Sequence, residues 1–461
     1  MRRARRTAGP VATGTVRASL LVGAAAGLLV AACVGLALVP NLVEAPRVFL
    51  ALFGLAAVAY ATGLYFLSRL ADSRAFLLTL VVAAACRAAL LPSLPTLSTD
   101  AYRYVWDARV ARAGISPYAY PPVAPEIAKL RDTAIFPRLN HSTWQTIYPP
   151  AAQAFFRAVF AVAPDSVAAM KIALGVAEIV GLALLVALLR ALGLPLARTA
   201  IYAWNPLVLV EVWGSAHLDA LAVAAVIGAV LAAVRQRHDL AAVILGVGTL
   251  IKIYPAALLP LLVRARGMRV IAPFAVVVAL GYAPLLTHGV QAFGSLPRYV
   301  AEEYFNPGLI RSAIDSPAGA LVAMATWLAW IVWRGPAAGF VERLVPLIGG
   351  LVVLSPNVFP WYALWLVPFL AVTPSVWWIA FSATVMFSYA FFLYQPWAMP
   401  LWARLLEAAP LLLGVCWWLG GRVRQQYAPA SSHAGDIGGA PDATIDVAPG
   451  RPRWPGGGGW S

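Results

Sequence analysis

With 461 residues, of which 61% are hydrophobic and only 11% charged, the chain carries more apolar surface than a soluble domain can bury, so a lipid bilayer must be its solvent. The net charge of +15 does not mark a nucleic-acid partner, because much of the Arg and Lys falls in short segments between apolar runs, the pattern that the positive-inside rule produces. Cys33, Cys86 and Cys416 each sit in an apolar run without metal-ligand spacing, which leaves no disulfide framework.

In chain order, residues 1–15 form a basic N-terminus (MRRARRTAGP…) and 16–38 the first apolar run. That run is too long for the core of a signal peptide and lacks a convincing cleavage site, so it is expected to stay as a helix. A spanning helix needs roughly 20 apolar residues. Runs that meet or approach this length cover 16–38, 47–68, 75–91, 167–189, 199–213, 218–234, 270–286, 317–333, 340–354, 361–372, 376–394 and 402–419. The expected fold class is an all-α polytopic membrane protein of about 12–14 transmembrane or re-entrant helices.

Arginines set the orientation. Arg2, Arg3, Arg5 and Arg6 place the N-terminus in the cytoplasm, and Arg69 with Arg74, Arg190 with Arg198, Arg235 with Arg237, and Arg264, Arg266 and Arg269 mark further inside loops. The stretch 239–263 then has cytoplasmic flanks on both sides, yet 25 residues cannot make two spans. A broken helical hairpin with Lys252-Ile253-Tyr254-Pro255 at its tip satisfies the charge rule, and irregular backbone at that depth should line a cavity. A single span with one misplaced basic loop is the alternative. Arg422 and Arg424 put the C-terminus inside as well, so the membrane domain is expected over 16–424. The Gly-, Pro- and Ala-rich segment 425–461 is expected to be a disordered cytoplasmic tail.

The longest polar segment between runs is 92–166, an outer loop that opens with STDAYRYVWDARVARAGISPY at 98–118. On this topology Asp100, Asp107, Thr146 to Pro150, His217, Asp219, Lys252, Arg298, Glu302, Glu303 and 355–362 all fall at or near the outer face. A transporter would carry its polar groups at the midplane, whereas an enzyme working on membrane lipids would gather them at one interface. Ionisable residues within runs are Arg87, Lys171, Glu178 and Glu211. Arg87 is placed to snorkel or to bind an anion, and Glu178 to pair with a neighbouring base. Glu211 is followed at once by His217 and Asp219.

Asp100–Arg109 (DAYRYVWDAR), Gly114-Ile115-Ser116-Pro117-Tyr118 and Tyr148-Pro149-Pro150 resemble the first large outer loop of GT-C glycosyltransferases, with family 87 and the actinobacterial polyprenol-phosphate-mannose-dependent mannosyltransferases as the nearest branch. Trp204-Asn205-Pro206, Ala216-His217-Leu218-Asp219, Lys252-Ile253-Tyr254-Pro255 and Ser355-Pro356 leading to Pro360-Trp361-Tyr362 follow in the family's order, over roughly 98–368. Two features depart from the family. Ala216 and Leu218 stand where Gly and Asn are common, and the acidic loop follows the third run rather than the first.

The resemblance implies a hexose, with mannose the first expectation, delivered with inversion from a polyprenyl-phosphate donor to a lipid- or glycan-linked acceptor at the outer face of the cytoplasmic membrane. No cofactor or metal is firmly implied; the partners are membrane lipid, the polyprenyl-phosphate sugar and a glycan or glycolipid acceptor, with no nucleic acid. The phosphate leaving group needs cations, for which Lys252, Arg87 and Arg298 are the candidates. The acceptor alcohol needs one base, worth about 10²–10⁴ in rate, and Asp100 is the candidate; its alternative role is an N-cap for the helix after it. His217, Asp219, Glu211, Asp107, Tyr148, Trp361 and Tyr362 are candidates for acceptor or sugar binding. Asp107 could instead pair with Arg103 or Arg109, and a His-x-Asp spacing supplies too few ligands to argue for zinc. Trp106, Trp144, Trp361 and Trp365 could stack on sugars or sit in interfacial belts. A flippase for polyprenyl-linked glycans and a non-catalytic assembly protein are the competing functions.

Overall fold

The computed structural model describes residues 10–333 and 339–426. The N-terminal arginines Arg2, Arg3, Arg5 and Arg6, the side chains of Arg422 and Arg424, and the tail after Gln426 lie outside the described residues. The last helix, Leu401–Gln426, runs two residues past the expected domain end. Among the described residues there is no strand, only an isolated antiparallel bridge between Pro307 and Asn357. The chain is an all-α polytopic membrane protein.

Among the described residues, seven segments are long and apolar enough to cross a bilayer. The first three are α1 (Pro10–Leu38), α2 (Pro46–Leu67) and α3 (Asp72–Leu90). The outer loop then contributes α4 (Asp100–Arg112) and α5 (Pro150–Val162), and α6 (Val167–Ala191) is the fourth spanning helix. Met268–Leu286, Val376–Leu393 and Leu401–Gly420 complete the seven, and five shorter apolar helices of 10–17 residues fill the bundle. Pro46 opens α2 at its first turn, where a missing N–H costs nothing, and Ser166 caps α6 by accepting the Ala169 N–H at 3.1 Å.

Two expected spans are not regular helices. Residues 199–213 break into a short helix Ala200–Ala203, a turn Pro206–Val208 capped by the Asn205 side chain, and a wide π turn Leu209–Gly214. Residues 361–372 form a 3-10 segment Pro360–Trp365 and the short helix Val367–Val372, with prolines 360 and 368 each removing a backbone donor. Both stretches are almost entirely buried, which is what lets irregular backbone persist in a membrane domain.

The stretch 239–263 does go in and come back. Helix His238–Ile251 rises about 21 Å and stops at Lys252, whose backbone is extended. A 3-10 turn Tyr254–Leu258 and helix Leu259–Arg266 then return the chain. Arg266 closes the hairpin by donating to Ala233 O at 3.1 Å and Gln236 Oε1 at 2.9 Å, in the loop from which the hairpin started.

Within the outer loop, α4 packs on α5 through Tyr104, whose ring stacks on Phe156 at 4.5 Å and meets Tyr148 edge-on at 5.1 Å. Arg109 ties the loop down, with Asp132 and Asp165 each 2.7 Å away. Burial pushes the Asp132 carboxyl up, but the Arg109 hydrogen bond and two backbone N–H donors outweigh it and hold Asp132 below the usual carboxylate range.

Arg87, Lys171 and Glu178, three ionisable residues of the apolar runs, are tied to one another's helices. Arg87 is buried rather than snorkelled: its guanidinium pairs with Glu178 at 2.6 and 2.9 Å and donates to Ala203 O at 2.9 Å. Glu178 also accepts the Trp213 indole N–H at 3.1 Å. Lys171 donates to Leu90 O at 2.9 Å and to the Ser93 carbonyl and hydroxyl, which satisfies the C-terminal end of α3. Breaking a buried pair on one side leaves an uncompensated charge, so Arg87→Met should lower stability by about 3–5 kcal/mol. The double change Arg87→Met with Glu178→Leu should recover most of that loss in thermal unfolding of the detergent-solubilised protein.

Candidate active site

At one end of the bundle a cavity of about 870 Å³ opens between the outer loop, the hairpin tip and the segments around 296–305, 359–365 and 389–397. Of the eleven candidate site residues, Asp100, Lys252, Tyr148, Trp361 and Tyr362 line it. Arg87, Arg298, His217, Asp219, Glu211 and Asp107 do not, and each of these is tied to other protein groups.

Asp100 is the first residue of α4, but its carboxylate does not cap the helix: Thr99 occupies the cap position and no side-chain cap bond forms. Its Oδ1 instead accepts the Asn140 amide at 2.6 Å. The helix therefore supplies position and an N-terminal dipole that favours the anion, while the carboxylate faces the cavity.

Lys252 ends up in the cavity because the helix stops at Ile251 and the extended backbone at 252 directs the next side chain away from the helix. Its ammonium donates to both oxygens of Asp219 at 2.7 and 2.6 Å, leaving one of its three donors for the cavity. Asp219 is fully buried and takes a third bond, from Trp365 Nε1 at 2.5 Å. Its place is therefore behind Lys252 rather than against a sugar. The rings of Tyr362 and Trp365 lie 5.3 and 5.8 Å from the ammonium, so the cation sits in an aromatic corner.

Asp107 is committed to Arg103 at 2.9 Å and to Gln153 at 2.9 Å, with Gln153 also reaching Thr146 Oγ1 at 2.8 Å. It braces α4 against α5 and the cavity-lining strand of loop at 146–149. Arg298 makes an exposed pair with Glu302 at 2.8 Å and lies over the Trp144 ring at 4.8 Å, one side chain removed from the cavity. Trp106 is buried in the loop's core, whereas Trp144, Trp361 and Trp365 line the cavity.

His217 and Glu211 are brought together by backbone geometry. The π turn ends at Gly214, Ala216 follows with φ +59, and the His217 N–H donates back to Glu211 O at 3.0 Å. The reversal swings the imidazole over its own turn, where Nε2 lies 3.1 Å from Glu211 Oε2 and Nδ1 lies 3.7 Å from Asp100 Oδ2. Both residues are fully buried and neither lines the cavity. The left-handed backbone at 216 costs an alanine roughly 1 kcal/mol or more, which gives a reason for glycine at that place in the resembling motif. Ala216→Gly should therefore raise stability by about 1 kcal/mol, read as a higher unfolding midpoint.

The sequence placed Glu303 only at the outer face and gave no signal for His141, Tyr299 or Tyr389. Glu303 and His141 meet at 2.9 Å; burial pushes the Glu303 carboxyl up, but the bond and charge of His141 together with the Tyr304 and Phe305 N–H groups outweigh it and leave it below its usual range. Tyr299 reaches the Tyr362 hydroxyl at 3.3 Å, and Tyr389 donates to Glu211 at 3.0 Å from 178 positions away. Among the described residues no three His, Cys, Asp or Glu side chains are grouped as metal ligands.

No curated protein matches the chain. A family model does, over residues 7–267, which takes in the first three spanning helices, Asp100, Tyr148, Glu211, His217, Asp219 and Lys252. Trp361 and Tyr362 fall beyond the matched region, and the three helices before Asp100 fall within it. The matching family is described as alpha-(1->6)-mannopyranosyltransferase, N-terminal domain (MptA_B family), and with more than half of its length covered the chain belongs to this mannosyltransferase family.

Proposed function

We propose that the protein transfers mannose, with inversion, from a polyprenyl-phosphate donor to a hydroxyl of a lipid- or glycan-linked acceptor at the outer face of the cytoplasmic membrane. The observation that carries this reading is the placement of the Asp100 carboxylate and the Lys252 ammonium on the wall of a single cavity, which Glu303, His141, Arg103, Arg138 and many aromatic rings also line. The ammonium is the group a departing phosphate needs, since electrostatic help to a leaving anion acts most strongly away from bulk water. The carboxylate accepts the proton of the attacking hydroxyl. Trp144, Trp361 and Tyr362 offer faces for a pyranose ring or the first isoprene units.

Purified protein supplied with labelled polyprenyl-phosphate mannose is expected to transfer label to a glycan or lipid acceptor, and absence of transfer across membrane-derived acceptors would count against the reading. The location has its own check. A cysteine introduced at Ser142, in the outer loop, should react with an impermeant thiol reagent in intact cells. Reaction only after permeabilisation would place the cavity on the cytoplasmic side.

A further inference from the structure

A second hollow, of about 420 Å³, lies on the flank of the bundle between α6 and the helices Asp219–Val234 and His238–Ile251. Its walls are apolar except at one end, where Arg235 and Arg237 stand. Leu240, Ile244, Val247 and Ile251 recur every three or four residues, so one face of helix His238–Ile251 makes one wall, and Val180 and Leu184 of α6 make another. Gly228 puts no side chain between these walls; a Cβ there would reach only ordinary contact with Leu184 and Ile244, at 3.6 and 3.7 Å. Val180, Leu240 and Val247 are exposed, so the hollow is a groove open along its side to the bilayer.

Its length matches one leaflet. From Leu240 to Ile251 the helix rises about 17 Å, against about 15 Å for half of a hydrocarbon core of about 30 Å. A groove of that depth takes a hydrocarbon chain lying along the helices. The charge at its end selects the headgroup. Arg235 and Arg237 are exposed, and neither guanidinium has an ion-pair or hydrogen-bond partner among the described residues. Arg266 is held to the same turn by its bonds to Ala233 O and Gln236 Oε1. Against these three stands Asp239, in the first turn of helix His238–Ile251, which leaves an excess of positive charge. A basic corner between membrane helices, continued by an apolar groove, has the chemistry to hold an anionic headgroup and its chain. A zwitterionic headgroup would bring a further cation to that corner.

We infer that this groove binds an anionic phospholipid from the leaflet on the Arg235–Arg237 side, with its phosphate at the two arginines and one acyl chain along 240–251. The site is separate from the cavity that holds Asp100, yet it bears on it. Asp219 begins one of the two helices and Lys252 follows the end of the other, so a chain packed along both supports the helices that carry the Lys252–Asp219 pair.

Native mass spectrometry of the full chain in detergent, with equal amounts of phosphatidylglycerol and phosphatidylcholine of matched chains, reads the headgroup preference. Bound phosphatidylglycerol should exceed phosphatidylcholine by about fivefold or more, because one arginine beside an anionic headgroup is worth about that factor. Arg235→Gln combined with Arg237→Gln should bring the two lipids near parity. Gly228→Leu, which fills the groove and leaves the arginines, should remove the retained lipid of either kind. If that variant does not accumulate, Val247→Trp fills the groove from its open side. Equal retention in the native protein, or a preference that survives loss of both arginines, overturns the inference. A preference undiminished in the filled groove overturns it too, by placing the headgroup on the arginine turn with no chain behind it. Displacement of phosphatidylglycerol by an equal amount of polyprenyl phosphate would assign the groove to an isoprenoid chain, and so also overturns it.

Discussion

Asp100→Asn should reduce mannosyl transfer by about 10²–10⁴ while the protein accumulates and binds donor as before. The substitution is close to neutral for the fold, for reasons visible in the structure. Thr99 occupies the cap position of α4, the Asp100 side chain makes no cap bond, and the asparagine keeps an oxygen to accept the Asn140 amide. What is lost is a small helix-dipole contribution, about 0.3–1 kcal/mol, and the ability to take a proton. Initial rates of label transfer at matched protein level, beside equilibrium binding of the donor, separate the two. Near-normal transfer would falsify the assignment, and the base would then be sought at Glu303, the other carboxylate on the cavity wall. Asp107 and Asp219 are not alternatives, because both are enclosed by their own partners.

Lys252→Ala should abolish most donor-dependent turnover, and the cause has to be separated from damage to Asp219. Alanine at 252 removes the cation from the cavity and at the same time strands a fully buried carboxylate, a change that costs several kcal/mol by itself. The double variant Lys252→Met with Asp219→Asn removes both charges and keeps the volume, so its fold should be near wild type in thermal unfolding. If the lysine served only as counter-ion to Asp219, this variant would transfer normally. The expected result is a stable protein with greatly weakened donor use. Lys252→Arg should recover part of the activity, because a guanidinium restores the charge but presents it as a planar fork rather than a point. Full activity in the neutral double variant would assign Lys252 to the fold.

Composition by itself determined the solvent and therefore the class: a chain so apolar has to satisfy its backbone internally, and helices do this within one segment. The arginine spacing also favoured the hairpin at 239–263 over a single span, since a rule about where cations end up constrains a path that hydropathy leaves ambiguous; the return of Arg266 to Ala233 and Gln236 agrees with it. The motifs identified Asp100 and Lys252 as residues of one end of the bundle, because a helix start and a helix break are local events written in local residues.

Partnership between distant side chains was decided only by tertiary structure. Arg87 reads the same whether it binds a phosphate or a carboxylate, and it is Glu178, 91 positions on, that claims it. Residues 199–213 and 361–372 have the hydropathy of spans, but surrounding helices bury them so fully that prolines and a π turn are tolerated there. That same π turn, followed by the left-handed Ala216, brings His217 to 3.1 Å from Glu211 and 3.7 Å from Asp100. No periodicity encodes a reversal of that kind, because apolar spacing reports which face is buried and not which two buried groups meet. The pairing is set by the packing of α4, the 209–214 turn and Tyr389, three segments that come together only when the whole bundle has closed.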